Sequence, residues 1–235
     1  MLLECLEDAS SLIFPVQCET CHTPLAPLPP SGVCADCLSE IRLFKPPFCP
    51  RCGRTASTES GTCGFCAQEK FHFDRAYACA SYEGKMKVLL GRYKFEGRKY
   101  LRHFFSRLLT EFFEAHLLRE TLSLIAAAPP DAGRHNERGF DQTALLAQAL
   151  GQRTGIRFSH DLLRRDLSGS PQSLLGRSGR RANVRGLFRA EADLRGENIL
   201  LLDDILTTGQ TASECARILK EKGAGRVVLL ACARA

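Results

Sequence analysis

Apolar positions along this chain fall into a few distinct patterns. Between Lys99 and Leu118 they recur at helical spacing, at Leu101, Phe104, Phe105, Leu108, Leu109, Phe112 and Phe113, which predicts an amphipathic helix. Apolar runs within Leu122–Ala128, Asn198–Leu202 and Arg226–Ala233 predict buried parallel strands, and Arg75–Tyr82 reads as another strand. Gln142–Gln152 predicts a helix capped by Asp141. Thr211–Lys222 predicts another, with Gly223 at the position just past its end. Strand, helix and strand between Asn198 and Ala233 make a βαβ unit, hence a parallel sheet of the α/β class.

Elsewhere the periodicity fades. Residues 3–13 predict a short amphipathic helix ended by Phe14-Pro15. Residues 18–66 hold Pro, Gly and paired cysteines, which suit knuckles and short ribbons. Residues 164–189 are polar, Gly- and Arg-rich, and predict a long mobile loop with a short strand near its end. The change of texture divides the chain into a small unit, 1–72, and a larger one, 73–235.

Composition narrows the class. Of 235 residues, 44% are hydrophobic and 25% charged, enough apolar material for a sizeable core. No run approaches the ~18 apolar residues of a membrane span. The first residues carry Glu4, Glu7 and Asp8 in place of a basic leader, so a cytoplasmic protein without membrane insertion is expected. Charge is uneven. Residues 1–75 hold six Lys/Arg against nine Asp/Glu, and the remainder 26 against 17.

Ten of the twelve cysteines lie in the first 79 residues. Eight form four CxxC pairs: Cys18/Cys21, Cys34/Cys37, Cys49/Cys52 and Cys63/Cys66. Each such turn points two sulfurs at one ion, and two turns complete a tetrahedron, the structural zinc arrangement. Gly53 and Gly64 are expected to ease the tight backbone there. Local pairing, 18/21/34/37 with 49/52/63/66, is the expectation; a cross-braced pairing is the alternative that spacing leaves open, and iron is the alternative metal. Eight thiolates and two Zn²⁺ would make the small unit more acidic still, which argues against it as the dock for a polyanion. Cys5, Cys79, Cys215 and Cys232 are expected to be buried small hydrophobes.

The chemistry concentrates in Asp203-Asp204-Ile205-Leu206-Thr207-Thr208-Gly209-Gln210-Thr211. A buried strand delivers two acids at its carboxyl end, the edge where parallel sheets bind ligands. A loop of hydroxyl residues and glycine then opens a helix, which suits a phosphate monoester. Adjacent carboxylates repel that phosphate but accept hydrogen bonds from hydroxyls. A ribose 5-phosphate has both features.

This segment resembles the phosphoribosyl pyrophosphate (PRPP) signature of type I phosphoribosyltransferases. The wider chain resembles the ComF family of competence-associated proteins, in which cysteine ribbons precede such a domain. Tyr93-Lys94-Phe95 with Gly97-Arg98, Ala128-Pro129-Pro130, Arg138-Gly139-Phe140-Asp141-Gln142, Gln172, Arg180-Arg181, Asn183-Val184 and Phe188 carry the same likeness. Asp141 replaces an expected Asn, and Pro130 an expected Val or Leu.

The resemblance implies a parallel sheet flanked by helices, preceded by a double zinc ribbon. It implies that Asp203 and Asp204 hold ribose hydroxyls and, indirectly, Mg²⁺; that Thr207–Thr211 hold the 5′-phosphate; and that Pro129 to Arg134 lie near the pyrophosphate. Asp203, Asp204 and Arg138 are the catalytic candidates for phosphoribosyl transfer, in the service of DNA uptake and natural competence. Arg134, Arg138 and Arg181 are expected to face the site, with 164–185 as a lid. Lys94 is within reach, though a lone lysine usually faces solvent. Residues 134–189 hold eleven Arg and no Lys, near Phe140, Phe158 and Phe188. The alternative reading is therefore a single-stranded-DNA-handling scaffold, or one that docks competence-machinery proteins through Leu38, Leu43 and Phe44, without turnover.

Overall fold

The computed structural model of the chain describes residues 17–25, 31–49, 51–55, 62–130, 141–165 and 186–235. The expected helix at 3–13, together with Cys5, Arg134, Arg138, Phe140, Gln172, Arg180, Arg181 and most of the segment read as a lid, lies outside them.

Five strands form one parallel sheet: β1 (Arg75–Ser81), β2 (Leu124–Ala127), β3 (Arg157–Ser159), β6 (Ile199–Leu206) and β7 (Val227–Arg234). Their order is β1-β7-β6-β2-β3. The central strands are buried on both faces, which is why they read as continuous apolar runs. The short strands β4 (Arg164–Arg165) and β5 (Phe188–Arg189) pair antiparallel apart from this sheet, and β5 is the short strand expected near the end of the 164–189 segment.

Each face carries its own core. On one, α3 (Gly84–Phe95), α4 (Arg102–His116) and α5 (Gln142–Thr154) pack Met86, Leu90, Phe105, Leu109, Leu146 and Leu150 against Ile125, Leu200, Leu202 and Leu230. On the other, α6 (Gln210–Glu221) packs Ala212, Cys215 and Leu219 against Leu201, Val227 and Leu229. Strand alternation assigns neighbouring residues to the two cores in turn. Cys79, Cys215 and Cys232 are fully buried, as expected of small hydrophobes.

The predicted helix at 99–118 begins with a 3-10 turn, Lys99–Leu101, and ends at His116. Asp141 caps α5 through a bond that Ala144 N–H donates to its Oδ1 at 2.9 Å. Gly223 follows α6 at φ +88°, as its expected place past the helix end requires. The helix α3 is an addition to the sequence reading.

The cysteine-rich residues do not stand apart from this sheet. Between the two cysteine quartets the chain lies antiparallel along β1: Phe44 N–H donates to Cys79 C=O at 2.9 Å and Ser81 N–H to Arg42 C=O at 2.9 Å. Leu38 and Phe44 pack partly buried against the two cores, while Leu43 is about half exposed. Among the described residues no helix is long and apolar enough to cross a membrane.

Candidate functional site at the ends of β2 and β6

Two prolines open the site. Strand β2 pairs with β6 from Leu124↔Ile199 to Ala127↔Leu202, and Ala128 N–H still donates to Leu202 C=O at 2.8 Å. Pro129 and Pro130 have no N–H to continue the ladder. Strand β6 does continue, four residues further than the sequence suggested, because β7 pairs with it as far as Leu206↔Arg234. Among the described residues, 203–206 therefore pair with β7 on one side and with no strand on the other, the edge at which a ligand crevice of such a sheet lies. The crevice is also where connections diverge: β2 leads through α5 to β3 at one edge, β6 through α6 to β7 toward the other. Ligands of open α/β sheets bind at such switch points.

Asp203 and Asp204 are both partly buried on this edge, and half-buried Pro129 and Pro130 follow Ala128, the last residue of this stretch bonded to β6. Asp204 N–H donates to Asp203 Oδ1 at 2.8 Å. Partly buried Ile205 and buried Leu206 complete the strand, and exposed Thr207 and Thr208 turn away from it. Gln210 N–H donates to Thr208 Oγ1 at 3.4 Å. Gly209 caps α6 at φ +81°, where a Cβ would come within 3.1 Å of the Phe71 ring. The backbone angle favours glycine there, and a Cβ would also press on the ring. Gln210 and Thr211 form the first turn of α6, so this loop delivers hydroxyls and helix N–H groups beside the two acids.

Lys94 reaches the site from α3. Its Nζ lies 2.6 Å from Asp204 Oδ2, with side chains 14% and 15% exposed. Of the two readings of Lys94, within reach of the site or facing solvent, the first holds: α3 lies on the core face that Asp204 shares by alternation with Leu200 and Leu202, so the side chain meets the acid instead of water. Two reciprocal bonds hold the end of α3 against the start of α5. Tyr93 OH donates to Gln142 C=O at 3.2 Å, and Gln142 Nε2 donates to Tyr93 C=O. The Tyr93-Lys94-Phe95 and Arg138–Gln142 motifs thus meet in space through Tyr93 and Gln142.

With this geometry in view, comparison with known proteins is specific. The double zinc ribbon domain matches residues 9–67, and the phosphoribosyl transferase domain matches residues 144–234. A DNA utilization protein, YhgH of Escherichia coli O157:H7, is 32% identical over 221 residues, covering 92% of this chain and 96% of that protein. Competence protein F of Haemophilus influenzae is 26% identical over 212 residues, 87% of this chain and 91% of that one. Competence protein ComFC of Bacillus subtilis is 28% identical over 201 residues, 83% and 80% respectively. The chain belongs to the ComF family. Its α/β domain is phosphoribosyltransferase-like, and its cysteines form a double zinc ribbon.

The two cysteine clusters of this ComF-family chain use local pairing: 18/21/34/37 and 49/52/63/66, each with all sulfurs within 4.8 Å of one another. The cross-braced alternative is thereby set aside. Each cluster joins a tight turn to the start of a short helix, α1 (Ala35–Ser39) or α2 (Gly64–Gln68). Sulfur separations of 3.7 Å for Cys21–Cys34 and 3.5 Å for Cys52–Cys63 approach the ~3.7 Å edge of a tetrahedron with 2.3 Å zinc–sulfur bonds. Backbone N–H groups of Cys34, Cys37 and Cys63 donate to the sulfurs of Cys18, Cys34 and Cys49 at 3.3–3.4 Å. Burial raises the Cys18 thiol, but the Thr20 hydroxyl and nearby N–H groups outweigh it and bring it down to about 5. Burial, with the neighbouring sulfurs and against the Thr20 hydroxyl, pushes Cys37 up to about 12. Four thiolates this close need a cation, and structural zinc fits the donor set.

Both ribbons reach the walls of the crevice. In the first, Glu19 is 8% exposed beside Cys18 and holds Arg92 of α3 at 2.7 Å, two residues before Lys94. In the second, Arg51 Nη2 donates to Phe71 C=O at 3.4 Å, and Phe71 carries Gly209 on its ring and stacks on Phe73 at 4.7 Å. His72 N–H donates to Ser213 Oγ of α6 at 3.1 Å. Buried Arg234, which ends β7, donates to Cys52 C=O at 2.7 Å. Gly53, at φ +68°, lies against β1, where a Cβ would fall 2.2 Å from Ala76 O. Gly64 differs from expectation: it opens α2 with nothing near a Cβ, so the turn does not require it.

Glu19, Arg51, Phe71 and Arg92 were not singled out from sequence. A residue inside each CxxC pair was the available signal, since a knuckle points its intervening side chains outward. The aromatic expectation also changes. Phe188 is buried under Arg165, whose guanidinium lies 5.5 Å from the ring centre, so it offers no stacking platform.

Proposed function

We propose that this chain binds 5-phosphoribosyl 1-pyrophosphate with Mg²⁺ in the crevice between β2 and β6, and serves in DNA uptake during natural competence, a reading supported by two relatives that are named competence proteins. The single observation that carries the ligand reading is the end of β6: two acids on strand residues that, among the described residues, pair with β7 alone, followed at once by the hydroxyl-rich turn into α6. Asp203 and Asp204 accept from the ribose hydroxyls, and N–H and hydroxyl groups of Thr207–Thr211 donate to the 5′-phosphate. Pro129 and Pro130 border the pyrophosphate, and Arg134 is assigned to it by the resemblance alone. Mg²⁺, when bound, offsets charge on the pyrophosphate.

The same arrangement suits transfer. An acceptor nucleophile forms its bond to the anomeric carbon as the bond to pyrophosphate breaks, and the leaving group departs with the electron pair. The chain contributes position and a charged frame, with Asp203, Asp204 and Arg138 as the candidates closest to that chemistry. Residues 1–72 act as the structural zinc unit and 73–235 as the ligand-binding unit.

A second reading, contact with single-stranded DNA, draws on a different observation. Phe95 is 59% and Tyr100 40% exposed, beside exposed Arg98, Lys99 and Arg102. Exposed aromatics interleaved with cations suit stacked bases and their phosphates.

Calorimetric titration of the zinc-loaded chain tests the first reading. Mg²⁺-dependent PRPP binding, lost in Asp203→Asn/Asp204→Asn while folding persists, is the expected result. Absence of binding by the intact chain contradicts it and leaves the DNA reading.

A further inference from the structure

We propose that Lys94 selects for a diphosphate on the anomeric carbon, by bridging Asp204 and the diphosphate of a bound sugar. This rests on the ligand reading above and assigns a residue that the PRPP signature does not contain.

Lys94 comes from α3, an element outside both the phosphate loop and the turn after β2. Its main chain is fixed on each side: Tyr93 is tied to Gln142, and Arg92 to Glu19. Only its flexible stem is left to adjust. Its Nζ already touches Asp204, so it stands at the hydroxyl-binding acid before any ligand enters. An ammonium has three N–H donors, and one suffices for a single carboxylate oxygen. The other two are available to a second anion in the same crevice.

Charge makes that second contact consequential. A diphosphate seated beside Asp203 and Asp204 meets like charge on one side. A cation that spans the acid and the diphosphate converts this repulsion into two attractions, without leaving its first partner. A sugar with a neutral hydroxyl at the same carbon gains nothing from it. Lys94 is therefore a discriminator between the activated sugar and its hydrolysed form. A merely structural lysine, holding α3 to β6, would affect both sugars alike.

The experiment titrates the full, zinc-loaded chain with PRPP and separately with ribose 5-phosphate, both with Mg²⁺. Lys94→Gln is expected to weaken PRPP binding by about 10- to 100-fold, the value of a charge-assisted hydrogen bond, while ribose 5-phosphate changes by less than about threefold. Lys94→Arg is expected to retain most of the preference, and Lys94→Met, which keeps the stem without the charge, carries the test if Lys94→Gln does not fold by circular dichroism. Equal loss for both sugars, or no loss for either, overturns the proposal. Failure of the unaltered chain to bind either sugar contradicts the ligand reading itself. A chain that binds ribose 5-phosphate at least as tightly as PRPP overturns the role of Lys94 and leaves the phosphate loop intact.

Discussion

Replacing Glu19 by Ala tests whether the first zinc ribbon braces the ligand crevice. Glu19 is 8% exposed and pairs with Arg92 at 2.7 Å, with Arg98 Nε a weaker partner at 3.9 Å. Removing one member of a buried pair costs about 3–5 kcal/mol when the other is left unpaired. Arg92 is not left wholly unpaired: it is 18% exposed, and Glu96 at 4.0 Å and His22 Nε2 at 3.3 Å remain beside it. We therefore expect a loss of about 2–3 kcal/mol, less than the buried limit but more than a surface pair. For a chain of this size that lowers the melting temperature by about 4–12 °C. Thermal and urea unfolding of the zinc-saturated variant measure it. Hydrogen exchange should also rise over residues 90–98, since Arg92 ties that turn of α3 to the ribbon. A loss below about 0.5 kcal/mol, the range of ordinary surface substitutions, or unchanged exchange in α3, refutes the brace.

Other perturbations discriminate further. Gly53→Ala should destabilise the zinc-loaded chain by more than Gly209→Ala in urea unfolding: both residues have positive φ, but the new Cβ at 53 meets the Ala76 carbonyl oxygen at 2.2 Å, while at 209 it meets a movable ring at 3.1 Å; equal losses contradict this. Asp74 accepts from Val227 N–H at 2.7 Å and pairs with Lys220 at 2.8 Å, and these partners outweigh burial to hold its carboxyl below the ordinary 3.8. Its contribution is present above that value and lost as pH falls below it, so the stability gap between the natural chain and Asp74→Asn should narrow on acidification below 3.8; a gap that widens there reverses the sign and refutes the assignment. Removing zinc with a strong chelator should raise hydrogen exchange in the ribbons first and then at residues 71–73 and 207–213, with a loss on the order of 10 kcal/mol per site; exchange unchanged in the ribbons contradicts structural zinc.

Much of this architecture was legible in the sequence because single elements answered to single patterns. The runs in β6 and β7, the cap at Asp141, the glycine after α6 and the four CxxC pairs each have a local cause. What escaped depends on neighbours. The end of β6 is set by β7, while its described pairing with β2 stops before two prolines, so its length was underestimated. Helix α3 buries Met86, Leu89, Leu90 and Tyr93 at helical spacing, but exposed Val88 and Phe95 blur the stripe. Sequence left Lys94 between reaching the site and facing solvent, because nothing local says that α3 ends against Asp204. Glu19 and Arg92 are 73 residues apart, a pairing that only the folded ribbon brings about. Arg134, Arg138 and Arg181 lie outside the described residues, and their roles rest on the resemblance.

Hydrogen–deuterium exchange of the zinc-loaded chain, with and without PRPP and Mg²⁺, tests the central claim most directly, because it reports binding and its place together. The account predicts slowed exchange over residues 203–211, dependent on Mg²⁺ and absent in Asp203→Asn/Asp204→Asn. Protection confined to other segments, or none at saturating ligand, would contradict it.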